Sequence, residues 1–284
     1  MFIKRPKNTM FDPFLKEKKE QKLHSLLRLH KLVLFSKHLH RRVKVDVYLL
    51  EGTTQNTSQP ALLINDGQDM KRLDLINTLT TLYATGRITR IVTVAVHADK
   101  NRHQEYGTAE YLDYKKRGEL AARYSQFITL ELVPFLQKKY DVFIDPALSV
   151  FAGFSLGGLS ALDISWRNPD LFLRVGVFSG SLWWRYKGVD KKEDNPHRIM
   201  HHIVSNSSKR EGMQFWFEAG TEDETEDRNN SGTIDAIEDT KDLIQELKVI
   251  GYTDREITFR LIKGGHNFKT WAKIFPDFLV WACG

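Results

Sequence analysis

Ser155 stands in Gly153-Phe154-Ser155-Leu156-Gly157-Gly158. An apolar, β-rich run (Leu148, Val150, Phe151, Ala152) precedes it, and small and apolar residues at helical spacing (Leu159, Ala161, Leu162, Ile164, Ser165) follow. Strand, sharp turn and helix around G-x-S-x-G make a nucleophile elbow. Glycines at 153 and 157 remove the Cβ atoms that would collide in so tight a turn. The hydroxyl is thereby raised at a strand's C-terminal edge, and the helix behind it aims its first N–H groups and positive dipole end at the same point. One turn thus offers a nucleophile and a donor for an oxyanion. A plain strand-to-helix turn can carry the same short pattern, and the flanking elements favour the chemical reading.

A serine hydroxyl is a poor nucleophile until a base takes its proton, and the base needs a carboxylate to orient it. In chain order these follow the serine as acid, then histidine. Of ten histidines, only His266 follows both a late strand (Ile257 to Ile262) and a glycine pair, Gly264-Gly265. The acid belongs after the strand Met213 to Phe217, in Glu218-Ala219-Gly220-Thr221-Glu222-Asp223-Glu224. Asp223 is the first choice, with Glu222 and then Asp227 behind it, because spacing does not separate near neighbours. The strand Ala61 to Asn65 ends in Asp66-Gly67-Gln68-Asp69, and the backbone N–H of Gln68 joins that of Leu156 as the expected oxyanion hole. An ordinary turn stabilised by Asp66 is the alternative. Arg102, with Glu105 and Tyr106, lies in a polar loop after the strand at 91–96 and is the expected substrate contact. Trp183 and Trp184, after the strand at 174–178, either wall an aromatic pocket or pack in the core.

A second pattern follows the acid. Asp227, Asn229, Ser231, Gly232, Thr233 and Glu238 occupy positions 1, 3, 5, 6, 7 and 12 of a calcium-type loop, in which spaced oxygens wrap one ion. Ser231 departs from the usual Asp or Asn, and no entering helix precedes the loop. The competing reading is a helix cap by Ser231 or Thr233. A bound Ca²⁺ would be structural, stiffening the loop after Asp223, and no cofactor is expected for catalysis itself.

These groups need a scaffold that brings distant segments to one edge. Strands alternate with helices along the chain, expected at 70–85 and 118–139 among others, the latter kinked at Pro134 or broken there by a new turn. That alternation points to an α/β fold, a doubly wound and mostly parallel sheet flanked by helices, with an antiparallel opening at 26–50. Residues 1–25 read as a basic extension and 26–284 as one domain, with a small polar cap at 185–212 whose His197, His201 and His202 are expected at the surface.

The chain has 284 residues, 41% apolar and 27% charged, ordinary for a globular protein. Its net charge of +6 is uneven, for residues 1–44 alone carry a balance of +10. Aromatics are not interleaved there, so the arm reads as a solvated extension and not as a nucleic-acid contact. No run approaches a membrane span, no apolar leader opens the chain, and the single cysteine, Cys283, leaves no internal disulfide. A cytoplasmic setting is the expectation.

GFSLGG with SGSLWW, the strand ending in DGQ, the GTED turn and the terminal GGHNF together resemble the putative-esterase family of α/β-hydrolases, over about residues 26–283. That family includes siderophore esterases, feruloyl esterases and mycolyltransferases. The resemblance implies the triad Ser155, Asp223 and His266 and a small-molecule ester as substrate, siderophore-like or otherwise. The tryptophan pair is closest to the siderophore-esterase branch. An acyltransferase would use the same residues, and a catalytically silent binding protein is the reading from another class.

Overall fold

The computed structural model describes residues 13–51, 58–140, 143–188 and 197–284. Residues 1–12 of the basic arm and 189–196 of the expected cap lie outside them.

A helix, α1 (Pro13–Leu26), leads into β1 (Leu27–Ser36) and β2 (Arg41–Leu50), which pair antiparallel. The alternation in β2 is what a strand covered on both faces requires. Val43, Val45 and Val47 enter one core, and Tyr48 and Leu50 enter the other. Then come β3 (Ser58–Asn65), α2 (Leu75–Ala84), β4 (Val92–Val96), the single turn α3 (Arg102–Glu105), α4 (Ala121–Gln126) and α5 (Val133–Tyr140). The second half runs β5 (Phe143–Phe154), α6 (Leu156–Arg167), β6 (Arg174–Phe178), α7 (Ile199–Ser205), β7 (Gln214–Glu222), α8 (Asp235–Val249), β8 (Ile257–Gly265) and α9 (Phe268–Cys283).

The eight strands form one sheet in the order β1-β2-β4-β3-β5-β6-β7-β8. From β4 to β8 every pairing is parallel, and β2 joins β4 antiparallel, so the expected doubly wound α/β sheet is the observed one. Parallel strands covered on both faces are nearly continuously apolar, as the fully buried Val92–Val96 shows with Thr93 its single polar residue. Side chains of α4 to α8 fill one face, and α2, α9 and the end of α1 cover the other.

Two helices differ from expectation. The helix expected at 70–85 begins only at Leu75, because Asp74 takes φ 55°, a left-handed conformation that no right-handed helix continues. At Pro134 a new helical segment opens, α5 starting at Val133. A π-helical stretch, Phe127–Leu132, lies between α4 and α5, and this wider turn accommodates the missing proline N–H. Of the three histidines expected at the surface, His202 is exposed and His197 half-buried, but His201 is not at the surface. Helix α7 buries Ile199, Met200 and Val204, and His201 is buried with Nε2 2.8 Å from the Asp239 carbonyl oxygen.

Candidate active site

Strand ends at the C-terminal edge of a parallel sheet converge, and here they do so in register. Phe154 of β5 pairs with Phe178 of β6, Phe178 with Glu218 of β7, and β7 runs on until Glu222 pairs with Gly265 of β8. Ser155 therefore leaves β5 at the same edge where Asp223 and His266, each the next residue after that last pair, leave β7 and β8.

Ser155 takes φ 55° and ψ −125°, a region that costs a non-glycine residue about 1–3 kcal/mol and persists only where its surroundings enforce it. They do so here. A Cβ on Gly153 would lie 2.2 Å from the Gly157 carbonyl oxygen, so only glycine lets β5 and the first turn of α6 approach this closely. The Ser155 N–H donates to the Phe178 carbonyl at 2.8 Å, and the Ser181 N–H donates to the Ser155 carbonyl at 3.1 Å. The hydroxyl of Ser155 is 3.4 Å from that of Ser181.

The neighbouring strand end is fastened to the elbow. Asn65 donates from Nδ2 to the Gly157 carbonyl at 2.8 Å and accepts from the Tyr124 hydroxyl at 2.6 Å. Asp66, buried and left-handed at φ 61°, accepts both arms of Arg102 at 2.7 Å. The Gln68 side chain is held on three sides, by donation to Asp66 Oδ1 (3.2 Å) and Asp69 Oδ2 (3.1 Å) and by the Ala98 N–H on its Oε1 (3.0 Å). A Cβ on Gly157 would touch Asp66 Oδ2 at 2.6 Å, so the turn that carries Gln68 abuts the turn that carries Leu156.

Asp223 folds back under its own strand, Oδ2 accepting the Gly220 N–H at 3.0 Å. Its Oδ1 is buried without a hydrogen-bond partner. The imidazole of His266 meets the Trp271 ring edge-on, centroids 5.2 Å apart, and makes no hydrogen bond to Ser155 or Asp223. Catalytic contacts often close only around bound substrate. Surrounding protein holds the His266 pKa below its ordinary value although the residue is exposed. The positive charge of Arg102 pushes the same way, and the carboxylate of Asp223 opposes both. Titration of His266 is thus sensitive to Asp223 on one side and to the Asp66–Arg102 pair on the other.

The family model described as Putative esterase matches residues 36–282. The chain belongs to this family. The esterase is 24% identical over 237 residues to the uncharacterized protein YbbA of Bacillus subtilis (strain 168), a match over 82% of this chain and 88% of YbbA. In fold it is similar to the enterobactin esterase FES from Shigella flexneri, with a TM-score of 0.71 and 20% identity over 90% of this chain, and it spans only 58% of the FES chain. It is also similar to the BES protein from Bacillus cereus, TM-score 0.63 and 15% identity over 100% of each chain. Membership makes it a carboxylic ester hydrolase.

Several of the esterase's expected substrate contacts have structural work instead. Glu105 is buried against Arg41 (Nε to Oε1, 2.6 Å), and Tyr106 is buried with its hydroxyl accepting the Asp66 N–H at 3.2 Å. Arg102 is committed to Asp66. Breaking a buried pair leaves an uncompensated charge, a cost of about 3–5 kcal/mol. With a quarter of Arg102 exposed, Arg102→Ala is expected at the lower end of that range, measured by urea unfolding, together with a fall in kcat as the Gln68 turn loosens. Unchanged stability and rate would show that the pair does not hold the turn.

Trp184 is core, not pocket wall. It is fully buried, and Gly107 and Gly118, both at positive φ, press against its ring so that the 106–118 loop wraps around it. The Arg117 guanidinium lies over Trp184 at 4.8 Å and over half-buried Trp183 at 5.3 Å. A cavity of about 530 Å³ lies beside the Gln68 turn, lined by Tyr48, Met70, Leu75, Lys31, Lys71 and His97 among others; Ser155 does not line it.

In the calcium-type loop, Ser231 Oγ donates to Glu238 Oε1, and Asn229 Nδ2 donates to Glu238 Oε2 at 2.9 Å. Asp227 accepts the N–H groups of Ser231 and Gly232 at 3.0 and 2.9 Å. Positions 3, 5 and 12 therefore converge. The helix-cap alternative is not what is seen, for the residue at the cap of α8 is Ile234 and no side chain caps it. Among the described residues, no three His, Cys, Asp or Glu gather as a metal-binding group, and no helix is long and apolar enough to cross a membrane.

Sequence reasoning passed over Ser181, Asn65 and Glu218. Ser181 and Asn65 act through contacts that only the fold reveals. Glu218 did leave a signal, a lone acid inside the apolar run Met213-Gln-Phe-Trp-Phe-Glu-Ala.

Proposed function

We propose that this esterase hydrolyses small carboxylic esters through Ser155, His266 and Asp223 by way of an acyl-enzyme. The observation that carries the reading is the strained, glycine-packed Ser155 at the sheet edge where the ends of β7 and β8 also emerge. Ser155 Oγ attacks the ester carbonyl while His266, neutral because its pKa is depressed, accepts the hydroxyl proton. Asp223 holds the imidazole in the tautomer that can accept it and offsets the imidazolium charge that forms. The N–H groups of Leu156 and Gln68 receive the oxyanion, His266 returns the proton to the leaving alcohol, and a water activated by His266 releases the acid.

The substrate class is a small ester, of siderophore type by similarity to FES, with Trp183 flanking it. The protein is taken to work in the cytoplasm. p-Nitrophenyl acetate should give a burst of nitrophenolate equal to the enzyme concentration when deacylation is the slower step. Neither burst nor turnover above background would remove the reading.

The same reading gives the 227–238 loop a structural calcium ion held by Asp227, Asn229, Ser231, the Thr233 carbonyl and Glu238. A ligand that binds only the folded state raises stability in proportion to the logarithm of its concentration above Kd. Millimolar Ca²⁺ is expected to raise Tm and chelator to reverse it, and an unmoved Tm would take the ion out of the account.

A further inference from the structure

Glu218 is an acid in a place built for an apolar side chain. It sits in β7 between Phe217 and Ala219, 1% exposed, on the face that α9 covers. Taking a carboxylate out of water is costly unless charge or several donors replace the solvent. Glu218 has neither. Its partner by register on β8, Arg260, places its guanidinium over the Trp216 ring at 5.4 Å and makes no ion pair with it. The single side-chain donor it receives is the Ser179 hydroxyl, at a long 3.3 Å to Oε2, and that hydroxyl itself accepts the Trp271 indole N–H at 2.9 Å. Oε1 has no partner.

The groups around it give the position its meaning. Ser179 comes from just after β6, Trp271 from α9, and Asp223, whose Oδ1 is likewise buried without a partner, from just after β7. Trp271 also touches the His266 ring. Asp223 Oδ1 lies 2.5 Å from where a Cβ on Gly220 would stand, two residues along β7 from Glu218, and two carboxyls so placed are not both ionised cheaply, so one keeps a proton. Asp223 already accepts a backbone N–H on Oδ2, whereas Glu218 has one long side-chain donor and no ion pair. That leaves Glu218 as the acid, with an O–H to donate and an acceptor, Asp223 Oδ1, still in want of one.

We propose that Glu218 is a positioning residue for ester hydrolysis: it stays protonated in the working enzyme and steadies Asp223 from beneath, directly or through one water, so that Asp223 holds His266. The inference rests on the triad reading above. Burial, and then the charge of Asp223, push the Glu218 pKa up to about 8, against the downward pull of Ser179. Ionisation above that pH removes the donor and sets a second negative charge beside Asp223.

The test is the pH profile of kcat/KM for p-nitrophenyl acetate in the full-length protein. Wild type is expected to lose activity on the alkaline side with an apparent pKa near 8. Glu218→Gln, which keeps a donor and cannot ionise, retains most of kcat at pH 7 and lacks that limb. Glu218→Leu loses kcat at pH 7 with KM little changed. Ser179→Ala moves the limb to higher pH, because Ser179 favours the ionised form.

Two readouts do not need activity. Infrared difference spectra of wild type against Glu218→Gln at pH 7 should show one protonated carboxyl. The stability that Glu218 contributes is complete below its unfolded pKa and is lost as pH rises towards about 8, so the Tm of Glu218→Gln relative to wild type should climb from pH 5 to pH 8 and then level off. An alkaline limb that survives in Glu218→Gln, or is absent from wild type, overturns the proposal, as does the lack of the protonated-carboxyl band. If Ser155→Ala were as active as wild type the triad reading would fall instead, while the infrared and Tm results would still report on Glu218.

Discussion

Ser155→Ala should reduce kcat for p-nitrophenyl acetate by on the order of 10⁴ to 10⁶, leaving a small rate above water from the oxyanion donors and binding alone. The size of the effect follows from what the substitution removes. Among the described residues at this edge, Ser179 also has a positive φ, 43°, but it follows β6, precedes no helix and accepts the Trp271 indole N–H, so it does not inherit the role. Ser181, whose Oγ lies 3.4 Å away, follows β6 and not a strand-to-helix elbow. Ala fits the space, and φ 55° is no harder on it than on Ser, so folding should be little affected. A normal Tm with lost turnover is the expected pair of results. Comparable rates for the two proteins would mean that ester hydrolysis here does not use Ser155.

Asp223→Asn is the second large effect. An amide of the same shape keeps the packing against Gly220 but favours the wrong imidazole tautomer, and a loss on the order of 10³ to 10⁴ in kcat is expected with KM almost unchanged. Glu222→Gln is the control, since Glu222, the last residue of β7, is exposed and should cost less than a few-fold. If Glu222→Gln proved the more damaging, the acid would have been assigned one residue late.

The sheet edge at which Ser155, Asp223 and His266 emerge was legible in the sequence because each of the three carried a local signature. Glycines at 153 and 157 mark a turn that nothing bulkier can make, and the β-branched runs at 91–96 and 257–262 mark strands. What the sequence concealed was the use of polar residues between those marks. Arg102, Glu105 and Tyr106 read as a loop open to substrate, yet each is drawn inward by a partner far away in the chain, Asp66 or Arg41. Trp184 could be pocket or core until Gly107 and Gly118 were seen against its ring. His201 looked exposed because α8, which buries it, lies some 30 residues further on. In each case the deciding contact is long-range, and periodicity within a segment holds no record of it.

The most direct measurement is covalent capture of the nucleophile. A p-nitrophenyl phosphonate mimics the tetrahedral intermediate and, on losing p-nitrophenolate, leaves its phosphonyl group on the attacking oxygen, so digestion and peptide mass analysis report which residue attacked. The account predicts a single adduct on Ser155, formed in step with loss of esterase activity and slowed in Asp223→Asn. An adduct on another residue, or full inactivation with Ser155 unmodified, would contradict it.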